Sequence, residues 1–434
     1  MNIFQKRSIH AVLSSILVLS MASAHATTTV LRPDKVWTAD DQTVHTHWLV
    51  IVDEQRITAV GPADKLTVPP DAIFLNLPGL TLMPGLIDLH SHVFLHPYNE
   101  TLWNDQVLKE TLPYRTLEAG VHARQTLLAG FTTLRDLGTE GAGNADFSVK
   151  KAIDDGLIPG PRLFIATRAI VATGSYGPAR RNYNSDAVIP QGAQEVSGAD
   201  EAARAARQQI ADGADWVKVY ADYHGGPNGA LTPTLTESEI RAVVEIAHAT
   251  GHKVAAHAAS DEGMRRAVLA GVDTIEHGYN GSAATFALMA KRGVAYNPTL
   301  TAEEAYSSYF DHYVPGKTPP SAGMVQAAQA FALARTAGVV IGCGSDVGVF
   351  AHGTNYREVE WMARLGMKPV EALQAATSVA AHVLGKQDEF GRIAVGLYAD
   401  LIAVPGDPTV QLDVIEQVKF VMKNGVVYKS PWGP

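Results

Sequence analysis

The sequence predicts an α/β fold: a (β/α)8 TIM barrel with a small β-sandwich domain built from both chain ends. Helix-like stretches that end in glycine alternate with short apolar runs through the middle of the chain, and β-rich segments flank this region. Such alternation implies a parallel sheet with right-handed crossovers, and eight units close into a barrel. An open doubly wound sheet has the same alternation and remains the alternative, but the count of eight favours the barrel.

The central region, residues 84–387, contains the eight predicted strands. Apolar runs at 86–92 and 162–166 are two of them, and the other six follow a glycine at a predicted helix end. A glycine there adopts the left-handed cap, and the apolar run after it is typical of a buried parallel strand. In one helix, over residues 201–212, Asp200 is the expected N-cap. The six glycines are Gly130, Gly213, Gly251, Gly271, Gly293 and Gly338.

Residues 27–83 and 388–434 are predicted to form the β-sandwich domain. In the first flank, two short apolar runs stand on either side of a turn at residues 53–55. In the second flank, Asn-Gly at 424–425 separates two further runs, which is a strong hairpin signal. The alternative is that the two flanks form separate β appendages.

The composition excludes several classes of protein. With 434 residues, 46% hydrophobic and 18% charged, the chain has ample apolar material for a core and is not a disordered protein. The 35 basic and 44 acidic residues give a formal charge of −9, without any long basic run. A nucleic-acid partner is therefore not expected, because its binding needs the opposite field. The one cysteine, Cys343, has no partner for an internal disulfide.

Residues 1–26 are predicted to be a secretory signal peptide. Lys6 and Arg7 precede an apolar run at 11–22, and Ala-His-Ala at 24–26 supplies a cleavage site with small residues. This predicts a periplasmic or secreted protein, with an uncleaved N-terminal anchor as the alternative. The apolar run is too short for a membrane span, and no later run approaches the roughly 18 residues that a span needs.

Polar side chains at the ends of the predicted strands would lie at the mouth of the barrel, where active sites of this fold are built. His90 and His92 share one face of a strand because they stand two residues apart. His257, His277 and Asp346 end three other strands. Each alone has a structural explanation, as a buried histidine bonded to backbone or as a helix N-cap. Together, four imidazoles and one carboxylate suit a divalent ion such as zinc.

Lys218 stands in the middle of an apolar strand, which is unusual for a charged residue. An ammonium group buried beside a cation would be repelled, so an unmodified lysine is a poor metal ligand. A lysine that loses its proton on burial can add carbon dioxide and become an anionic carbamate that bridges two metals. The alternative is an ordinary lysine that extends to the barrel rim, and the position alone does not decide between them.

Several motifs occur in order along the chain. They are Pro-Gly-Leu-Ile-Asp-Leu-His-Ser-His at 84–92, Thr-Thr-Leu-Arg-Asp-Leu-Gly at 132–138, Val-Lys-Val at 217–219, Glu-His-Gly at 276–278, Gly-Ser-Asp at 344–346 and Gly-Leu-Tyr-Ala-Asp-Leu at 396–401. This set resembles the amidohydrolase superfamily, and the lysine-containing pattern is similar to its binuclear members. The resemblance covers the whole mature chain.

That resemblance implies a metal-dependent barrel with a small β-sandwich made from both termini. His90, His92 and Asp346 would hold one metal, and His257 and His277 would hold a second. Lys218, carboxylated by carbon dioxide, would bridge the two ions, which are expected to be zinc. Two cations lower the pKa of a shared water until hydroxide forms near neutral pH, and Asp346 would carry the proton to the leaving nitrogen.

Within the superfamily the chain is most similar to the imidazolonepropionase-like group, which includes Xaa-dipeptidases and ochratoxin-hydrolysing amidohydrolases. It departs from those peptidases at 173–177, where Thr-Gly-Ser-Tyr-Gly replaces Thr-Gly-Gly-His-Gly, and at Leu235, where an aromatic residue is common. Both positions are associated there with binding of the substrate carboxylate. The candidate substrate contacts here are Tyr176, Arg180, Arg181, Tyr220, Tyr223, His224 and His352.

These observations predict an exported hydrolase that cleaves the amide bond of a dipeptide or an N-acyl amino acid, ochratoxin-like amides included. A cyclic amidase, a lactonase or a deaminase of the same superfamily is the alternative. A catalytically inactive binding barrel would be expected to lack one or more of the six candidate ligands, whereas all six are present. The expected partner is a small-molecule amide, and the sequence leaves open whether the chain forms a homo-oligomer.

Overall fold

The computed structural model describes residues 28–432. The predicted signal peptide at 1–26 lies outside the described residues. Within the described part of the chain, no helix is both long and apolar enough to cross a membrane.

The structure is an α/β fold whose elements are numbered in chain order. The strands are β1 Thr29–Trp37, β2 Val44–Thr46, β3 Trp48–Asp53, β4 Arg56–Pro62, β5 Ile73–Pro84, β6 Leu86–Ser91, β7 Phe131–Asp136, β8 Arg162–Ile165, β9 Ile170–Ala172, β10 Gln194–Val196, β11 Trp216–Tyr220, β12 Asp222–Tyr223, β13 Thr232–Pro233, β14 Lys253–Ala258, β15 Thr274–His277, β16 Ala295–Asn297, β17 Leu401–Pro405, β18 Phe420–Lys423 and β19 Val426–Lys429. The helices are α1 Trp103–Lys109, α2 Leu112–Leu128, α3 Ala145–Asp154, α4 Ala199–Ala211, α5 Glu237–Ala249, α6 Asp261–Ala270, α7 Ala283–Arg292, α8 Leu300–Phe310, α9 Ala322–Ala337, α10 Tyr356–Arg364, α11 Pro369–Ala375 and α12 Ser378–Leu384.

Strands from both ends of the chain share one eight-stranded sheet. Its order is β19-β18-β17-β5-β1-β3-β4, with β2 paired to β1. The two flanks meet where β5 pairs in parallel with β1 and antiparallel with β17. The hairpins predicted around 53–55 and 424–425 are confirmed, as β3 with β4 and β18 with β19. The division of this sheet into a sandwich and the limits of the two predicted domains stay predictions.

The central strands are parallel, as the glycine-punctuated pattern predicts. They form two ladders, one of β6, β7 and β8 and one that runs through β11, β14, β15 and β16. The amide of Asp215 donates to the carbonyl of Ile165 at 2.8 Å and so joins the ends of the two ladders. Gly271 and Gly293 end α6 and α7 with φ values of 99° and 71°, which only glycine adopts at little cost.

The eighth predicted strand, after Gly338, is not a regular strand. The segment pairs with its neighbours through isolated bridges at Ile341 and Val347. The physical reason is that the amide of Ser345 donates to the Asp88 carboxylate at 2.9 Å, which takes a donor away from a continuous ladder. Backbone bonds still tie the segment to β6, since Leu89 donates to the carbonyl of Cys343 at 2.7 Å.

One predicted helix cap is wrong. Helix α4 begins at Ala199 with Gly198 as its N-cap residue, so Asp200 lies in the first turn. The carboxylate of Glu239, at the start of α5, accepts the Gly198 amide at 2.7 Å instead. The helix therefore starts without a side-chain cap, and the amide of its N-cap residue is bonded to the neighbouring helix.

Candidate metal centre and cavity

The histidine pair predicted at the end of β6 is buried and in contact. The Nε2 atoms of His90 and His92 lie 3.3 Å apart. Oδ1 of Asp346 lies 3.4 Å from Nε2 of His90 and 3.2 Å from Nε2 of His92. Asp346 is held there by its amide, which donates to the carbonyl of His90 at 2.8 Å.

Two of the predicted ligands occupy a backbone conformation that favours glycine. His277 has φ of 73° and Asp346 has φ of 63°. Residues other than glycine in this region carry strain of roughly 1–3 kcal/mol, and such residues are common at functional sites. At His277 the turn ends β15, so Glu276 and His277 both reach the same site although neighbouring strand residues normally face opposite sides.

The four histidines and the aspartate lie close together. One ligand atom each from His90, His277 and Asp346 lies within 4.8 Å of the other two. The ring centroids of His257 and His277 are 4.5 Å apart, and those of His90 and His277 are 5.1 Å apart. His257 also stacks on Tyr220 at 4.4 Å. The structure therefore brings these five predicted ligands to one mouth of the parallel strands.

Lys218 is on β11, near enough to these histidines for its charge to act on three of them, and its side chain is fully buried. The alternative in which this lysine extends to the rim is therefore wrong. Its Nζ has no hydrogen-bond partner among the described residues, and it lies 5.4 Å from the centroid of the Tyr220 ring. Burial lowers the pKa of Lys218 to about 8, although the charges of Glu276 and Asp346 oppose this shift. A substantial fraction of the amine is thus neutral and nucleophilic at mildly alkaline pH.

Three of the four histidines have the protonation state that suits a metal ligand, whereas His92 is protonated at neutral pH in the metal-free protein. Burial lowers the pKa of His90, His257 and His277 well below the usual value, and the charge of Lys218 adds to that effect. Burial also lowers the pKa of His92, but the hydrogen bond and charge of Asp346 outweigh it and raise the value to about 9. Neutral imidazoles are the form that binds divalent ions.

The pKa of Asp346 is set by the same neighbours. Burial by itself would raise it, but the charge of His90 and the hydrogen bond with His92 hold it below its usual range. The group is therefore a carboxylate throughout the physiological range. An ionised carboxylate can bind a cation and accept a proton, which are the two roles predicted for it.

Residues that the sequence did not point to hold the predicted ligands in place. Oε2 of Glu276 lies 3.0 Å from Nδ1 of His90, and Arg135 donates to Oε1 of Glu276 at 2.8 Å. Thr299 Oγ1 lies 2.8 Å from Nδ1 of His277. Such outer partners fix the tautomer and orientation of a ligating histidine. Two of these supporting residues could have been recognised from the sequence, because Arg135 and Glu276 are charged residues inside apolar strands.

Asp88 is a second supporting residue that was missed. It is fully buried on β6 and accepts hydrogen bonds from the amide of His90 at 3.0 Å and from Asn355 Nδ2 at 2.7 Å. It also accepts the hydroxyl of Ser345. Burial raises its pKa to about 6, against the hydrogen bonds that favour the anion. Asp88 therefore couples the position of His90 to the segment that carries Asp346.

A cavity of about 520 Å³ opens above the clustered ligands. Tyr176, Tyr220, Tyr223 and His224 line it, as predicted for substrate contacts, and whether they bind substrate stays a prediction. The hydroxyl of Tyr176 donates to Glu140 Oε2 at 2.6 Å. Lining residues that were not predicted from the sequence include Leu95, Tyr98, Glu140, Tyr279, Glu303 and Tyr306.

The structure places the other predicted contacts outside this cavity. Arg180 is exposed and forms an ion pair with Glu195, and with Arg181 it lines a smaller neighbouring pocket. His352 is buried, with Nε2 2.9 Å from the carbonyl of Leu95 and its ring stacked on His122 at 4.2 Å. The sequence predicted that Arg180 and His352 lie at the substrate cavity. The packing of the surrounding loops places both residues elsewhere.

Known proteins are similar to this chain in sequence and in fold. A sequence model of the amidohydrolase family matches residues 81–429. Ochratoxinase of Aspergillus niger is 30% identical over 392 residues, which cover 81% of this chain and 77% of that protein. A solved Xaa-Pro dipeptidase with methionine bound in its active site has a TM-score of 0.84 and 31% identity, over 93% of this chain and all of that one (100%). The crystal structure of the A. niger ochratoxinase has a TM-score of 0.79 and 25% identity, over 94% and 98% of the two chains.

Proposed function

The chain belongs to the amidohydrolase family and is a hydrolase of carbon–nitrogen bonds, and from that premise we propose that it cleaves the amide bond of a dipeptide or an N-acyl amino acid with two divalent cations as cofactors. The observation that carries the proposal is the set of four histidines and one aspartate gathered around a buried lysine without a hydrogen-bond partner. This set lies at the end of parallel strands, directly beneath a cavity large enough for a small molecule.

The residues present fit a pair of zinc-type ions. His90, His92 and Asp346 would hold one cation. His257 and His277 would hold the other, with Lys218 as a carbamate between them. Carbamate formation joins the neutral Nζ to the carbon of carbon dioxide and releases one proton, so it needs the lowered pKa that burial gives Lys218. When bound, two such cations lower the pKa of water and polarise an amide carbonyl.

Asp346 is the proposed general base and acid. Its Oδ1 faces His90 and His92 at the base of the cavity, and its ionised state leaves it free to accept a proton from the attacking water. The same oxygen would return that proton to the leaving nitrogen, so that the amine departs neutral. Among the described residues that line the cavity there is no cysteine and no serine to act as a nucleophile.

The cavity itself supports a small substrate bound largely by tyrosines. Among its described lining residues none is a lysine or an arginine. A substrate carboxylate would therefore meet neutral donors. Within residues 28–432 the hydroxyls of Tyr98, Tyr223 and Tyr306 have no hydrogen-bond partner, and Tyr223 is the proposed donor because its ring contacts that of His257. The hydroxyls of Tyr176 and Tyr220 already donate, to Glu140 and to Tyr176 respectively. The methionine bound in the dipeptidase structure supports an amino-acid product.

Two broader parts of the proposal concern fold and location. We propose that the eight central segments close as a (β/α)8 barrel, which is supported by backbone bonds from Tyr296 to Val340 at 2.9 Å and from His92 to Val347 at 2.8 Å. We also propose export to the periplasm or the medium, on the signal-peptide pattern at residues 1–26.

The test is incubation of the purified mature protein with a library of dipeptides and N-acyl amino acids, read by mass spectrometry. Release of a free amino acid from at least one class is expected, and Asp346→Asn is the inactive control. Tyr223→Phe should raise KM for substrates with a free C-terminal carboxylate and leave KM for the amidated analogues unchanged. Ring opening or ammonia release without amide cleavage would refute the proposed reaction.

A further inference from the structure

A second group of metal-ligating side chains lies outside the cavity. His96, Glu110 and Glu118 each offer one ligand atom, and these atoms lie within 4.8 Å of one another. His96 is in the loop after β6, Glu110 follows α1, and Glu118 is on α2. Ligand atoms around a tetrahedral zinc ion stand about 3.3 Å apart, since metal–ligand distances are about 2.0 Å. The three atoms therefore stand at most about 1.5 Å further apart than they would around a bound ion.

Both glutamates have an oxygen that nothing on the protein satisfies. Oε2 of Glu110 and Oε2 of Glu118 are buried, and neither has a hydrogen-bond partner among the described residues. The other oxygens are used, because Oε1 of Glu110 lies 2.8 Å from Nε2 of His96 and Oε1 of Glu118 accepts the Tyr114 hydroxyl at 3.3 Å. A buried carboxylate oxygen without a partner is costly, and a bound cation would remove that cost.

Within residues 28–432 the two glutamates form no direct ion pair with a lysine or arginine, although Arg115 is near enough to feel both charges. Arg115 is the nearest candidate on α2, but its guanidinium donates to backbone carbonyls, at 2.8 Å to Glu140 and at 2.9 Å to Phe94. The two carboxylates therefore face the imidazole of His96 with no hydrogen bond from Arg115.

The imidazole is positioned in the way that metal-binding histidines usually are. Nδ1 of His96 lies 3.4 Å from Oε2 of the exposed Glu100, and its Nε2 lies 2.8 Å from Oε1 of Glu110. Buried Gln106 accepts the His96 amide at 3.2 Å and donates to the His96 carbonyl at 2.8 Å, which fixes the backbone. A carboxylate on the far nitrogen is the typical outer partner of a ligating histidine.

We propose that His96, Glu110 and Glu118 bind a divalent cation of the zinc type, separate from the metals of the barrel mouth. One nitrogen and two carboxylate oxygens form a donor set suited to such an ion, with water as the remaining ligand. The cation ties the loop after β6 to α1 and α2. That loop and helix carry Leu95 and Tyr98, which line the cavity, and Trp103, which donates to Glu140 at 2.9 Å.

The test measures zinc bound per chain in chelator-treated protein that has been titrated with Zn²⁺ and desalted. Glu110→Gln and Glu118→Gln should each bind one ion fewer than the wild type, while the exposed control Glu245→Gln on α5 binds the wild-type number. Glu100→Gln should keep the stoichiometry but weaken Zn²⁺ binding at this site about 10–100-fold.

A second measurement separates this site from the barrel-mouth metals. In a His90→Ala/His277→Ala protein, one Zn²⁺ should still bind and raise the melting temperature, and adding Glu118→Gln should abolish both effects. Circular dichroism verifies that each variant folds. If Glu110→Gln does not fold, the number of zinc ions bound by Glu118→Gln decides the test. Glutamine variants that bind as many ions as the wild type would overturn the proposal, whatever the barrel-mouth variants do. In that case the His96–Glu110 contact is only a hydrogen bond.

Discussion

Replacing Lys218 by methionine distinguishes the folding free energy that burial of this lysine costs from the role of the lysine in the reaction. Methionine keeps most of the length and volume of the side chain but removes the amine. In the metal-free protein the buried Nζ has no hydrogen-bond partner among the described residues, so its removal leaves nothing newly unsatisfied. We therefore expect Lys218→Met to stabilise the metal-free protein and to abolish turnover of the metal-loaded protein.

The size of the stabilisation follows from the pKa of the lysine. Burial lowers that pKa from 10.5 to about 8 in the folded chain. Each unit corresponds to about 1.4 kcal/mol, so the charged lysine costs about 3 kcal/mol of folding free energy at pH 7. Because the folded state binds fewer protons than the unfolded state between pH 8 and 10.5, wild-type stability rises through that window. The difference in unfolding free energy between Lys218→Met and the wild type should therefore fall to about 1 kcal/mol by pH 10.

The assay is urea unfolding of chelator-treated proteins at pH 7 and pH 10, with turnover of the metal-loaded proteins measured in parallel. Lys253→Met is the matched control, because Lys253 stands two register positions earlier, on the paired strand β14. Its Nζ donates to the carbonyl of Val383 at 2.7 Å. That variant should lose roughly 1 kcal/mol and keep its activity.

Two results would refute the reasoning about Lys218. If Lys218→Met is less stable than the wild type at pH 7, the buried amine has a compensating partner that the contacts do not account for. If Lys218→Met binds two metals and turns over normally, the carbamate has no place in the reaction. A short carboxylic acid that restores part of the activity to Lys218→Ala would support the carbamate directly.

Three further outcomes are expected at the metal centre. Metal analysis should find about two ions per chain at the barrel mouth, in addition to any ion bound at His96. His90→Ala should lose metal and activity together. An enzyme that is active without metal would contradict this prediction. Asp346→Asn should lower kcat by roughly 10²–10⁴-fold with less effect on KM, since it cannot accept the proton, and near-normal kcat would limit Asp346 to a structural role. Glu276→Gln should weaken metal binding roughly 10–100-fold through His90, while the exposed control Glu245→Gln leaves metal binding unchanged.

The sequence by itself identified the residues that gather at the candidate metal centre. His90 and His92 were recognisable because strand geometry places residues two apart on one face, and His257 and His277 because each ends an apolar run. Lys218 stood out as a charge inside a strand. These patterns involve residues close together in the sequence, so they can be recognised without knowledge of the tertiary structure. The alternation that gives an α/β fold is local in the same sense.

Tertiary structure alone decided what surrounds those ligands. The carboxylate of Glu276 reaches His90 across 186 positions of the sequence, and only the pairing of distant strands creates that contact. The irregular eighth segment likewise depends on a hydrogen bond from Ser345 to Asp88, 257 positions away. Arg180 was expected at the substrate, but its loop pairs it with Glu195 instead. Long-range contacts set such positions, since the energy of a side chain depends on neighbours that its own stretch of sequence does not specify.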